Sequence, residues 1–243
     1  MGNCMFLRKG DTHTKPLSGI LASDLAVGST VKLMVDGVAT DFLVVNQGIP
    51  GSSSLYDSSC DGTWLLGKSI EDHQCWHSSD LDKYASSDIH TYLNGTFFSK
   101  FDTIAQEAIK QVKIPYSNGN STVYSGSNGL STKVFLLSCY EVGYTTSYHS
   151  NILITGAKLD YFTSGDGTDA KNLRKLNLGD GTVNYWWLRS AYKGSSIAVW
   201  CVTGTGGLDS AGSANPNYNA RPALILPSTA LFDKDTLILK GVA

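Results

Sequence analysis

Three short runs with β-strand character lie near the C-terminus, and they limit the possible fold more than any other feature of the sequence. They are residues 184–190 (NYWWLRS), 196–203 (SIAVWCVT) and 220–227 (ARPALILP), separated by sequence rich in Gly, Ser and Asn. No strand-helix-strand alternation, which a parallel sheet would need, is present in this part of the sequence. The C-terminal half is therefore predicted to be rich in antiparallel strands and loops.

The first half of the chain adds a hairpin and two helices to this pattern. Asp36-Gly37 separates two β-rich runs, residues 30–35 and 38–46, and Asp-Gly at such a position is a strong hairpin signal. Apolar residues at helical spacing predict one helix from Ser86 and another over residues 101–112. These elements together predict a single α+β domain over residues 19–243. Residues 1–18 show no periodicity and are predicted to be a tail or tether.

The composition favours recognition of a neutral surface over binding to nucleic acid or insertion into a membrane. Only 16% of the residues are charged, and the formal net charge is −2, so the basic patch that phosphate-backbone binding requires is missing. No apolar run approaches the roughly 20 residues of a membrane span. Twelve Tyr and 25 Gly, among many Ser and Asn, are typical of adaptable binding loops.

Metal binding and catalysis receive little support from the motifs. Cys60, His73, Cys75 and His77 are close in sequence, but HxCxH is not the spacing of a structural zinc site. The loop beginning at Asp166 has too few acidic residues for calcium and is predicted to be a turn. No nucleophile elbow or phosphate loop is present. We therefore expect no metal, no cofactor and no enzymatic activity.

The order of two C-terminal motifs carries a resemblance to a known family. WWLRS at residues 186–190, followed by ARPALIL at 220–226, resembles the C-terminal core of bacterial and phage C-type-lectin-like proteins. That family includes the variable proteins of diversity-generating retroelements, and shorter upstream segments are similar to gut-bacterial and prophage members. The resemblance implies a C-type-lectin-like domain of the formylglycine-generating-enzyme type.

The resemblance also implies a role, a partner and a location. The protein would bind a protein or glycan ligand on a cell surface, either as a homo-oligomer or attached to a larger tail or surface assembly. It would be made in the bacterial cytoplasm and displayed on a phage tail (the virion) or on the bacterial cell surface. Residues 191–219 would be the variable region.

Candidate ligand-binding residues are taken from this interval, where small and polar residues follow an alternating strand. In the strand we expect Trp200 and Val202 to face the core, while Cys201 and Thr203 point outward. Tyr192 and Tyr218 are expected to anchor one contiguous surface. The full set of expected contact residues is Tyr192, Ser196, Cys201, Thr203, Thr205, Asp209, Ser210, Asn215, Asn217 and Tyr218.

Two alternatives of the same fold compete with this interpretation. A non-variable structural protein of a virion or tail would carry the same motifs without the ligand. A formylglycine-generating oxidase would need two cysteines close together, whereas Cys201 stands alone in the last hundred residues and only tertiary folding could bring Cys139 near it. Arg189 and Arg221 are expected to be structural, paired with a carboxylate or with carbonyl groups.

Overall fold

The structure is a computed structural model, and it describes residues 19–79, 81–119 and 121–243. The predicted tail over residues 1–18 lies outside the described residues. The strands of the first half are β1 (Ile20–Leu21), β2 (Thr30–Val35), β3 (Val38–Gln47), β4 (Thr63–Gly67), β5 (Val112–Ile114), β6 (Tyr116–Ser117), β7 (Val123–Tyr124), β8 (Leu130–Thr132) and β9 (Val134–Phe135).

In the described part of the chain, the second half contains a further eight strands, and three α-helices are present. The strands are β10 (Leu176–Asn177), β11 (Val183–Asn184), β12 (Trp186–Ala191), β13 (Ala198–Val202), β14 (Leu208–Gly212), β15 (Ala223–Leu226), β16 (Ala230–Phe232) and β17 (Leu239–Val242). The helices are α1 (Asp88–Tyr92), α2 (Thr103–Ala108) and α3 (Thr168–Arg174). The class is α+β, as predicted.

A five-stranded antiparallel sheet in the order β2-β3-β4-β15-β9 forms the centre of the domain. The predicted hairpin is confirmed: β2 pairs with β3, and Asp36 and Gly37 adopt φ values of 48° and 76° in the turn. Strand β9 lies at the edge of this sheet, beside β15. One connected cluster of buried hydrophobic residues extends from Ala22 to Leu239.

The two predicted helices are present, but both are shorter than the sequence suggested. Ser87 caps α1 by accepting a hydrogen bond from the His90 N–H, and a π-helical turn over Leu93–Phe97 continues the element. Asp102 caps α2, which ends at Ala108 because the chain then turns into β5. Helix α3 replaces part of the turn that was expected after Asp166.

A second sheet, in the order β12-β13-β14, carries the C-terminal aromatic residues. Strand β14 lies inside the stretch that was predicted to be loop. Its sequence, LDSAG, has little strand propensity, and it is extended because it pairs along its whole length with β13. The predicted variable interval is therefore mainly a hairpin followed by a shorter loop.

A buried ion pair joins this second sheet to the rest of the domain. Arg189 of β12 and Glu141 are both fully buried and form a salt bridge. Arg189 also donates to the carbonyls of Pro115, Leu136 and Thr155, so all five of its N–H groups are used. Burial opposes the charged form of Arg189, but the charge of Glu141, its hydrogen bonds and the charges of Tyr56 and Tyr84 together outweigh burial and raise the pKa of Arg189. The structural role expected for Arg189 is confirmed.

Within the described residues, no helix has both the length and the apolar character needed to cross a bilayer.

Candidate functional site

Nine of the ten residues expected to contact a ligand have side chains that are at least partly exposed, and Cys201 is the exception. They occupy three places around the second sheet. Tyr192 and Ser196 lie at the turn before β13, and Thr203 and Thr205 lie at the turn that follows it. The others lie on β14 or on the segment 213–219, which we call the return loop.

The expectation that Cys201 points outward is wrong. Cys201 lies opposite Trp187 of β12 and Asp209 of β14 in the sheet register. The return loop covers this face, and the ring of Tyr218 lies 4.7 Å from that of Trp187. Cys201 is therefore fully buried, and burial, aided by the charge of Asp209, raises the pKa of its thiol. Both faces of β13 are covered, so the alternation of side chains along this strand does not distinguish buried residues from exposed ones.

Residues 72–77, which lie far earlier in the chain, hold the return loop in place. The Gln74 N–H donates to the Tyr218 carbonyl at 3.0 Å, and the His77 N–H donates to the Ser213 carbonyl at 2.9 Å. Buried Asn219 donates from its side-chain amide to the Tyr185 carbonyl and accepts from the Asp72 N–H. The loop is thus fixed by backbone pairing at both ends, although its sequence is small and polar.

Two stacked tyrosines form the most distinctive exposed feature of this face. The rings of Tyr185 and Tyr218 lie 4.8 Å apart with an interplanar angle of 18°, and Tyr185 is 37% exposed. We call this pair the tyrosine platform. It rests on Trp187, which is fully buried and donates from its indole N–H to the Gln74 carbonyl. The platform is therefore a rigid aromatic surface supported by the core.

Sequence reasoning missed Tyr185, although a signal for it was present. Side chains two residues apart in a strand point to the same face, so Tyr185 shares the face of Trp187. Because the strand was predicted to begin at residue 184, this relation could have placed Tyr185 beside the return loop. The contact between Tyr185 and Tyr218 depends on the course of that loop, which the sequence did not show.

Polar groups surround the tyrosine platform. Asp209 is exposed on β14, opposite Cys201. Burial raises the pKa of Tyr218, and the charges of Cys201 and Asp209 add to this effect. Asn217 is also exposed, and its carbonyl lies 3.0 Å from Nδ1 of His73. The Nε2 atom of His73 lies 3.3 Å from a carboxylate oxygen of Glu71. The surface thus combines flat aromatic rings with carboxylate, amide and imidazole groups.

Tyr192 belongs to a different surface. Its ring stacks on Trp200 at 4.8 Å, and His149 contacts the same tryptophan at 4.9 Å. Trp200 and Cys201 are consecutive residues of β13, so their side chains point to opposite faces of the sheet. Tyr192 and Tyr218 therefore lie on opposite faces. The expectation that both tyrosines anchor one contiguous surface is wrong.

The remaining candidate residues divide in the same way. Ser210 pairs with Trp200 and shares its face, whereas Asp209 pairs with Cys201. Ser196 is exposed in the turn after Tyr192. The Thr203 hydroxyl accepts from the Gly207 N–H and lies 2.9 Å from the Thr205 hydroxyl, so it stabilises the β13–β14 turn. Asn215 accepts from the Asn217 N–H and shapes the return loop.

The residues considered for metal binding have separate partners. The Cys60 thiol donates to the Lys113 carbonyl, His73 contacts Glu71, and His77 lies 3.0 Å from Asp88. Cys75 is partly exposed and forms no disulfide. Among the residues described, no group of three or more His, Cys, Asp or Glu side chains could hold a metal ion.

Comparison with known proteins identifies a family for most of the chain. The model of a family described as a domain of unknown function, DUF6273, matches residues 61–228. The chain belongs to this family, and the match includes both sheets' central strands, the tyrosine platform and the return loop. The description assigns no activity. No curated protein and no solved structure matches the chain.

Proposed function

We propose that this protein is a recognition module that binds a ligand on a cell surface through the face around the tyrosine platform. The observation that carries the proposal is the stacked, partly exposed pair Tyr185 and Tyr218 on the buried Trp187. Such a surface is ordered before binding, so little conformational entropy is lost when a ligand arrives. Rigid aromatic residues also supply most of the binding energy at many interfaces.

Of a protein and a glycan, the geometry favours a glycan. The apolar face of a sugar ring packs on a flat aromatic ring, and its hydroxyl groups need hydrogen-bond partners at the edge. The carboxylate of Asp209 and the amide of Asn217 can supply those partners, since both are exposed. Because few charges are present, we expect binding to depend only weakly on salt.

A glycan array tests the proposal directly. The wild-type protein should bind a restricted set of immobilised oligosaccharides, and Tyr185→Ala should weaken binding at least about tenfold, as loss of an aromatic hot spot does. Tyr148→Ala is the matched control, because Tyr148 is 41% exposed but lies outside the platform. The proposal fails if no glycan binds, or if both substitutions reduce binding equally.

We further propose that the protein is a variable protein of a diversity-generating retroelement, with a C-type-lectin-like fold and display on a phage tail or bacterial surface. Its support is the resemblance and the contrast in burial: β12 and β15 are fully buried, whereas nine candidate residues between them reach the surface. The flanking DNA provides the test. A near-copy of codons 185–225 that differs only at adenines, beside a reverse transcriptase gene, is expected. If the near-copy and the reverse transcriptase gene are absent, a non-variable structural protein of a virion or tail becomes the better interpretation.

The cysteine geometry supports a non-catalytic function. Cys139 and Cys201 are both free thiols and both fully buried. Burial raises the pKa of Cys139 to about 12 and also raises that of Cys201. Both groups are therefore held as thiols, which disfavours the thiolate chemistry that an oxidase would need.

A further inference from the structure

A concave site, which contains neither tyrosine of the platform, lies beside helix α3. It is a cavity of about 450 Å³, within the range typical of small-molecule sites. Strand β3, the segment after β4, helix α3 and the start of the ARPALIL segment surround it. The polar residues that line it include Asp41, Lys68, Tyr161, Asn172, Lys175 and Arg221.

Arg221 differs from Arg189 in that no described residue supplies it with a carboxylate partner. Arg221 is only 2% exposed, and its guanidinium lies over the ring of Trp186 at 4.9 Å. Among the described residues, no Asp or Glu forms an ion pair with it. Burial lowers the pKa of Arg221 to about 10, so the group remains charged at neutral pH. A buried charge without a counter-ion is costly, and an anion in the cavity would reduce that cost.

The hydrogen bonds of Arg221 leave one end of the guanidinium free. Its Nε donates to the Gly67 carbonyl at 2.8 Å, and its Nη1 lies 3.3 Å from the Arg174 carbonyl and 3.5 Å from that of Lys175. Within the described part of the chain, Nη2 has no hydrogen-bond acceptor. Two N–H groups of a fixed guanidinium are thus available at a residue that lines the cavity.

The other charged groups add to this positive site. Lys68 is exposed and Lys175 is partly exposed at the cavity. The carboxylate of Asp41 also lines it, but Asp41 forms a salt bridge with Lys32 at 2.9 Å. Three cationic residues therefore line one cavity, although the Lys68 ammonium also donates to the Thr30 hydroxyl at 3.2 Å, and Asp41 is the one acidic residue among the described residues of the lining. This concentration stands out in a chain whose formal net charge is −2.

We propose that the cavity binds the oxyanion group, carboxylate or phosphate, of a small acidic molecule, with Arg221 at its base and Lys68 and Lys175 at its rim. A guanidinium suits this role because its N–H groups match the spacing of carboxylate and phosphate oxygens. Tyr161 and Asn172 can donate further hydrogen bonds to the remainder of the ligand. The site is independent of the tyrosine platform.

Isothermal titration calorimetry with sodium phosphate and with sodium acetate tests the proposal, using sodium chloride of equal ionic strength as the reference. At least one oxyanion should bind saturably with a stoichiometry of one, and chloride should not. Binding of phosphate alone would identify a phosphate ester as the ligand class, and binding of acetate would identify a carboxylic acid. If neither saturates, the proposal is overturned.

Surface variants keep the test separate from folding, because Arg221 is part of the core. Lys175→Ala and Lys68→Ala should each weaken binding about three- to fivefold, the range expected for partly exposed charge pairs. Asp41→Asn should strengthen it, since Asp41 is the one acidic residue among the described residues that line the cavity. Lys83→Ala is the matched control, as Lys83 is exposed and does not line the cavity. Equal effects of all four substitutions would overturn the site.

Discussion

Replacing Glu141 by Gln tests whether the buried ion pair holds the two parts of the domain together. Glu141 accepts hydrogen bonds from Arg189, from the Tyr56 hydroxyl at 2.9 Å and from the Ser138 N–H at 2.9 Å. Gln has nearly the same volume, but it carries no charge and one of its two terminal atoms is a donor. That amide group would face N–H groups of Arg189 or Ser138.

The expected loss of stability follows from burial. Removing one partner of a fully buried ion pair costs about 3–5 kcal/mol, because the other charge remains without compensation. For a domain of this size, 1 kcal/mol corresponds to a shift in Tm of about 2–4 °C, so Glu141→Gln should melt about 6–20 °C lower. Asp41→Asn is the control: its salt bridge with Lys32 is also short, but Asp41 is 38% exposed. Its loss should be at most about 1 kcal/mol.

A double variant, Glu141→Leu with Arg189→Met, separates the ion pair from the other bonds of Arg189. In some proteins, apolar replacement of a buried ion pair is neutral or stabilising. Here it would leave the carbonyls of Pro115, Leu136 and Thr155 without a donor, at about 1–3 kcal/mol for each buried group. The double variant should therefore remain destabilised in urea denaturation. Recovery of wild-type stability, or a Glu141→Gln variant no weaker than Asp41→Asn, would refute this reasoning.

Four further predictions concern individual residues and bound metal. Trp200→Ala should lose about 3–5 kcal/mol of unfolding free energy, whereas the exposed Asn217→Ala should stay within about 0.5 kcal/mol of wild type in calorimetry. In the folded protein, N-ethylmaleimide should modify Cys75 before Cys201, and peptide mapping that found equal rates would contradict the burial of Cys201. Backbone hydrogen bonds from Thr236 and Asp235 lower the pKa of Asp233 from 3.8 to about 2. The pKa of Asp233 in the folded protein lies below its value in the unfolded chain, so the carboxylate stabilises the fold above pH 3.8 and ceases to do so as the pH falls toward about 2. The difference in stability between wild type and Asp233→Asn should therefore close over that pH range. Dialysis against a chelator should leave Tm unchanged, and a drop of several degrees with zinc or calcium recovered by elemental analysis would show a metal site.

The elements that could be predicted from sequence are those whose signals are local. Asp36-Gly37 fixes the β2–β3 hairpin because both residues accept positive φ, and Ser87 caps α1 through a bond to its own turn. Strand β14 could not be predicted in this way. Its residues have low strand propensity, and pairing with β13 alone makes them extended.

Only the part of the candidate site that depends on local sequence signals was predicted correctly. The exposed residues of the return loop follow from its polar sequence. The burial of Cys201 does not, because the loop that covers it is held by hydrogen bonds to residues more than a hundred positions earlier, such as Gln74. Tertiary structure likewise places Tyr192 and Tyr218 on opposite faces of the second sheet, because the face that each side chain reaches depends on the course of its loop.

The bonds of Arg189 can form only late in synthesis, because Arg189 follows all of its partners in the sequence. Glu141 lies 85 residues after Tyr56 and 48 residues before Arg189. At a translation rate of about 5–20 residues per second, Arg189 is added on the order of 2–10 s after Glu141. Until Arg189 is added, the carbonyls of Pro115, Leu136 and Thr155 also lack this donor. Formation of the ion pair is therefore a long-range closure that depends on β12, and the central sheet depends on a still later strand, β15, which joins β4 to β9.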